Sequence, residues 1–310
     1  MSSIMDAIPG FGSDIMEQLP PTNDLFRPLL RANAEEILSF KTKTYKFGAT
    51  DRHELDIYFP KSTSSGSAPT LFFVYGGGYL HGAKVLDPPE DLKYKNVGAF
   101  FAKRGFVTVV ANYRVFPGIQ FPDPAIDLKD ATAWVVTNID EVNQDADVKA
   151  DVSKIFLMGH SAGASTVITL LLVPGLIPTN LRERIAGLVL NAGVYDFRGV
   201  PSLAPHVISG YFGATPEEVR KTEPLGLLES APADVLVGFP PVLAVIGEYD
   251  FPPIVTSHGG FVPVLKDKID SSVEELVMKG HNHISAYDCL SSGVGEDWGL
   301  SAVEWLKSKV

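Results

Sequence analysis

Lys154-Ile155-Phe156-Leu157-Met158-Gly159-His160-Ser161-Ala162-Gly163-Ala164-Ser165-Thr166-Val167-Ile168-Thr169-Leu170-Leu171-Leu172 is the stretch that decides the fold. Its first five residues read as a short buried strand. Its last eleven, all small, apolar or hydroxylated, read as a buried helix. Between them lies Gly-x-Ser-x-Gly. A strand, a tight turn and a helix are the context in which that pattern presents a serine hydroxyl at the top of a sheet. Glycines at 159 and 163 leave room for the turn. The helix start puts the Ala162 amide and a favourable dipole beside Ser161.

Outward from this stretch the chain alternates strand and helix. Apolar runs at Ile57–Phe59, Leu71–Tyr75, Phe106–Tyr113, Ile155–Met158, Ile185–Leu190, Val242–Ile246 and Leu276–Met278 read as strands. Ala125–Val142, Ala162–Leu172 and Ala302–Lys309 read as helices. The expected class is α/β, a mostly parallel sheet with helices on both faces. Ser62–Pro69 reads as a surface loop. Residues 1–40 and about 197–238 break the alternation. They are expected to cap the C-terminal edge of the sheet, and 41–310 to form the catalytic domain. Within the later segment Pro216–Lys221 suggests a short helix. Phe11, Phe26, Tyr211 and Phe212 suggest an apolar cover.

Upstream of Ser161, the run Leu71-Phe72-Phe73-Val74 leads into Tyr75-Gly76-Gly77-Gly78-Tyr79. Three glycines after a buried strand expose backbone amides able to hold an oxyanion, and Gly77, Gly78 and Ala162 are the candidate donors. A phosphate loop would need Gly-Lys-Ser/Thr, which is missing. Downstream, Val242–Ile246 runs into Gly247-Glu248-Tyr249-Asp250. The end of a core strand is where a triad acid belongs, with Asp250 preferred, Glu248 the alternative and Asp196 a weaker one. Lys279-Gly280-His281-Asn282-His283 then offers two histidines for the base. His53, His81 and His160 precede the serine and break the expected order of serine, acid, histidine.

Composition narrows the partners. The net charge of −11 disfavours nucleic acid. Cys289 is the one cysteine, so no internal disulfide forms. No apolar run approaches the roughly 20 residues of a membrane span. The first twenty residues carry Asp6, Asp14 and Glu17 without lysine or arginine, unlike a signal peptide. Ser308-Lys309-Val310 matches only part of a peroxisomal tail. A cytoplasmic protein is expected. No metal or other cofactor is expected, because the histidines and acids lack metal-ligand spacing.

The sequence resembles the hormone-sensitive-lipase-like carboxylesterases and the related kynurenine formamidases, over roughly residues 50 to 308. Leu55-Asp56-Ile57-Tyr58, Tyr113-Arg114-Val115-Phe116-Pro117 with Phe121-Pro122 and Asp127, Gly159-His160-Ser161-Ala162-Gly163-Ala164 and Gly280-x-x-His283 carry the resemblance. It implies the α/β-hydrolase fold and a Ser161–His283–Asp250 triad, and it selects His283 over His281. It implies hydrolysis of a small-molecule ester with a small or medium acyl group, with amide hydrolysis or lactone chemistry as alternatives. One departure stands out. Those families carry histidine before the glycines, as a loop support, and this chain has Tyr75. Gly78 stands where formamidases often carry an aromatic residue, which leans toward the esterases.

Overall fold

The apolar runs fall in seven of the strands of one eight-stranded sheet in a computed structural model that describes residues 4–198 and 205–310. Residues 1–3 and 199–204, parts of the two expected cap segments, lie outside the described residues. The strands are β1 (Thr42–Lys46), β2 (Glu54–Tyr58), β3 (Ser67–Val74), β4 (Val107–Ala111), β5 (Lys149–His160), β6 (Ile185–Asn191), β7 (Val242–Tyr249) and β8 (Val273–Asn282). Their order is β1-β2-β4-β3-β5-β6-β7-β8. The β1–β2 and β2–β4 pairs are antiparallel, and the pairs from β4 through to β8 are parallel.

This order places β5 beside β3 at the point where the chain reverses its direction of winding. In open α/β sheets, ligands bind beyond the strand C-termini at such a switch. Leu71, Phe73, Phe156, Met158 and Val189 are fully buried, as residues of a sheet covered on both faces must be. Burial of each such side chain contributes about 1.5–3 kcal/mol.

Helices cover both faces. Lys95–Lys103 and Asp297–Lys307 share one layer, where Gly299 packs against Phe100. Asp123–Thr137, Ala162–Leu172, Pro224–Ser230 and Pro252–Lys268 pack together on the other. Strand β1 escaped the sequence reading because it is an edge strand whose residues alternate between exposed and half-buried. Strand β3 starts at Ser67, inside the stretch expected to be loop, because Ser67 and Ala68 pair with Lys149 and Ala150. The helix expected over Ala125–Val142 divides at Asn138, whose side-chain amide donates to Trp134 O at 2.8 Å. The short helix expected at 216 is Pro216–Thr222, opened by a capping box between Thr215 and Glu218. Among the described residues no helix is long and apolar enough to cross a membrane.

Candidate active site

Strand β5 ends at His160, and Ser161 turns the chain with φ 53° and ψ −125°. A non-glycine residue in such a conformation stores strain of about 1–3 kcal/mol, which the surroundings must hold in place. They do so in two ways. Ser161 N donates to Asn191 O at 2.9 Å, and the helix Ala162–Leu172 starts at once. The glycines permit the close packing. A Cβ on Gly163 would lie 2.1 Å from Val74 O, and one on Gly159 would lie 2.4 Å from Gly163 O.

The acid and base candidates sit at the ends of neighbouring strands. Asp250 follows β7 and His283 follows β8, and His283 Nδ1 donates to Asp250 Oδ1 at 2.9 Å with both side chains buried. The carboxylate also accepts from Gly247 N at 3.3 Å and Phe251 N at 3.2 Å. With its proton on Nδ1, the neutral ring presents Nε2 as an acceptor. The serine turn is tied to this pair through its neighbour. His160 Nε2 donates to His283 O at 3.0 Å, and the two rings lie 4.6 Å apart. Burial holds His160 well below the usual histidine range, so it stays neutral next to the pair.

The alternatives lie elsewhere. Glu248 is exposed and accepts from Gly280 N at 2.9 Å and from Lys279. Asp196 pairs with Arg198. His281 has both ring nitrogens engaged, with Nε2 donating to Gly295 O at 2.9 Å and Nδ1 accepting from Ser285 Oγ at 3.0 Å. Burial lowers its pKa to about 4.

Gly76 lies against the serine, where a Cβ would be 2.9 Å from Ser161 Cβ. Gly77 and Gly78 follow with φ of 123° and 62°, and their amides donate to no partner among the described residues. Gly77 is required as glycine, since a Cβ there would meet His81 O at 2.2 Å. Tyr75 supports this loop from beneath. Its ring stacks between Tyr94 and Tyr113, at 5.2 and 4.9 Å. Its hydroxyl donates to Asn112 Oδ1 at 2.9 Å and accepts from Arg52 Nη2 at 3.0 Å. Arg52 also donates to Gly82 O at 2.7 Å and Tyr113 O at 2.6 Å, and Tyr113 donates its hydroxyl to Tyr75 O at 3.0 Å. Tyr75 is thus fully built into the structure. Arg52 and Asn112 went unnoticed in the sequence because neither lies in a motif. Arg114 bonds Asp127 through both carboxylate oxygens, holding the segment after β4 on the following helix.

Above the glycines, Tyr79 packs on Tyr211 and Phe212 at 4.8 and 5.5 Å, and Phe212 meets Phe197 at 4.3 Å. The described part of the late insertion is therefore joined by aromatic contacts to the residue that follows Gly78. Phe26 is buried core and Phe11 half-buried. Among the described residues no group of three histidines, cysteines or acids could hold a metal ion.

The sheet order, the elbow and the helices on both faces define an α/β-hydrolase fold. Residues 55–175 match the BD-FAE family model. The chain is 26% identical over 266 residues to the probable carboxylic ester hydrolase LipM of Mycobacterium tuberculosis, covering 82% of this chain and 58% of that protein. It is 26% identical over 247 residues to the esterase LipC of the same organism, covering 76% and 58%. The chain thus spans little more than half the length of these curated relatives. A fungal esterase structure from Rhizomucor miehei superimposes with a TM-score of 0.68 at 18% identity, covering 100% of this chain and 96% of that one. This chain has the α/β-hydrolase fold, and the relatives it is similar to are carboxylesterase-like proteins.

Proposed function

We propose that the protein is a serine hydrolase that cleaves a carboxylic ester with a small or medium acyl group. The observation that carries this reading is the buried 2.9 Å bond from His283 Nδ1 to Asp250 Oδ1, beside the strained Ser161 turn. His283 Nε2 takes the Ser161 hydroxyl proton as Oγ attacks the ester carbonyl. Asp250 keeps the ring in the reactive tautomer and stabilises its cation. The amides of Gly77, Gly78 and Ala162 receive the oxyanion. Collapse expels the alcohol, which takes its proton from His283, and leaves an acyl-Ser161. A water deprotonated by His283 then attacks the acyl group and restores the serine. The names of the relatives LipM and LipC agree with an ester substrate.

The test is turnover of p-nitrophenyl esters over a chain-length series, with fluorophosphonate labelling of wild type and Ser161→Ala. Hydrolysis and labelling by wild type, both lost in the variant, are expected. Retention of a tenth of the activity by Ser161→Ala would remove Ser161 as nucleophile. Turnover of N-formylkynurenine in preference to the esters would move the reading to an amide hydrolase.

A further inference from the structure

The helix Ile15–Ala32 places Gln18 and Thr22, four residues apart, on one face, and both are buried. Gln18 Nε2 donates to Gly12 O at 3.1 Å and to Tyr249 O at 3.0 Å. Tyr249 is the residue before Asp250. Two carbonyl partners fix which end of the amide carries the nitrogen. Gln18 Oε1 is then left buried without a partner among the described residues. If packing alone were at stake, a leucine would fill this position without stranding an acceptor.

One helical turn further on, Thr22 Oγ1 accepts from Asn282 Nδ2 at 2.9 Å. Asn282 is the residue before His283. Its own Oδ1 accepts from Ile284 N at 3.1 Å and Ser285 N at 2.9 Å, so this side chain folds the loop that carries the histidine. A single helix face therefore bonds to the residue before the acid and to the residue before the base. Asp250 and His283 emerge from separate strand ends, and the backbone amides holding the Asp250 carboxylate are at 3.2 and 3.3 Å. A rigid i, i+4 spacing that bridges the two loops sets how far apart they stand.

We propose that Gln18 and Thr22 are positioning residues. The N-terminal helix uses them to hold the Asp250 turn and the His283 loop in register, which sets the hydrogen bond between the two side chains and the aim of the imidazole. The proposal rests on the triad reading given above.

Its test has a readout independent of turnover. The His283 Nδ1 proton, bonded to a carboxylate, gives a downfield proton resonance that Asp250→Asn removes, which assigns it. In Gln18→Leu/Thr22→Val, with an unchanged circular dichroism spectrum, this resonance should shift upfield or broaden. On a p-nitrophenyl ester, kcat should fall by about 10- to 100-fold, with KM within about twofold of wild type. Thr22→Ser, which keeps the hydroxyl, should behave as wild type in both measurements. A double variant with the wild-type resonance and kcat overturns the proposal. So does a Thr22→Ser variant as impaired as Thr22→Val. If the double variant does not fold, the Thr22→Val and Thr22→Ser pair decides. If wild type hydrolyses no ester, the triad reading fails, and the resonance still reports whether the helix holds Asp250 against His283.

Discussion

Replacing Tyr75 by phenylalanine tests whether the glycine loop proposed to hold the oxyanion depends on the Tyr75 network. The ring and its stacking between Tyr94 and Tyr113 remain, and only the hydroxyl is lost. Two hydrogen bonds disappear, one to Asn112 Oδ1 and one from the Arg52 guanidinium. Neither partner is stranded. Asn112 Oδ1 keeps Lys84 N at 2.6 Å, and Arg52 Nη2 keeps Gly82 O at 2.7 Å. The loss is therefore the net value of one neutral and one charge-assisted bond, about 2 kcal/mol together. A chain of 310 residues unfolds with an entropy of about 0.65 kcal/mol/K, so the melting temperature should drop by about 3 °C. Tyr75 directly precedes Gly76, which touches Ser161, so kcat for an ester should fall by about tenfold as the donor amides gain freedom. The assays are thermal unfolding by circular dichroism and steady-state hydrolysis of p-nitrophenyl esters. An unchanged melting temperature would refute the energetic argument. A normal melting drop with full kcat would refute the link between this network and the proposed oxyanion donors.

Three further outcomes are expected. Gly76→Ala should fold, because its Cβ needs the loop to move by only about half an ångström from Ser161, yet it should lose about 10- to 100-fold in kcat; wild-type kcat in the purified variant would contradict this. Gly163→Ala should fail to yield folded protein, since its Cβ would lie 2.1 Å from the Val74 carbonyl, and a cooperative melt near the wild-type temperature would contradict that. His281 titrates at about 4 when folded against 6.5 when unfolded, so the unfolded chain binds more protons between those values. Its contribution is complete above pH 6.5 and declines as pH falls toward 4, by about 3 kcal/mol in all. Asp288 and Glu223, whose carboxyls burial pushes up, act in the opposite sense, so the comparison is with His281→Asn. Urea midpoints should depend less steeply on pH in that variant, and equal slopes would exclude the effect.

Much of the architecture was legible because parallel strands covered on both faces must be apolar throughout. Leu71–Val74, Ile155–Met158 and Val242–Val245 are such runs, and all three lie in the parallel part of the sheet. Strand β1 was not legible, since an edge strand with half-buried and exposed residues needs no apolar run. Asp250 and His283 could be named from chain order and resemblance. Their pairing, and the diversion of Glu248 to Gly280 and of His281 to Gly295, depend on how the ends of β7 and β8 are folded.

The sequence by itself determined the apolar parallel strands, the turn at Ser161 and the short list of residues around it. Periodicity and local glycine patterns act over a few residues and are written directly in the chain. Only the tertiary structure decided that the Tyr75 hydroxyl meets Asn112 and Arg52, and that Gln18 and Thr22 reach the Asp250 turn and the His283 loop from more than two hundred residues away. Those contacts follow from which surfaces meet once the sheet is built, and no local pattern encodes them.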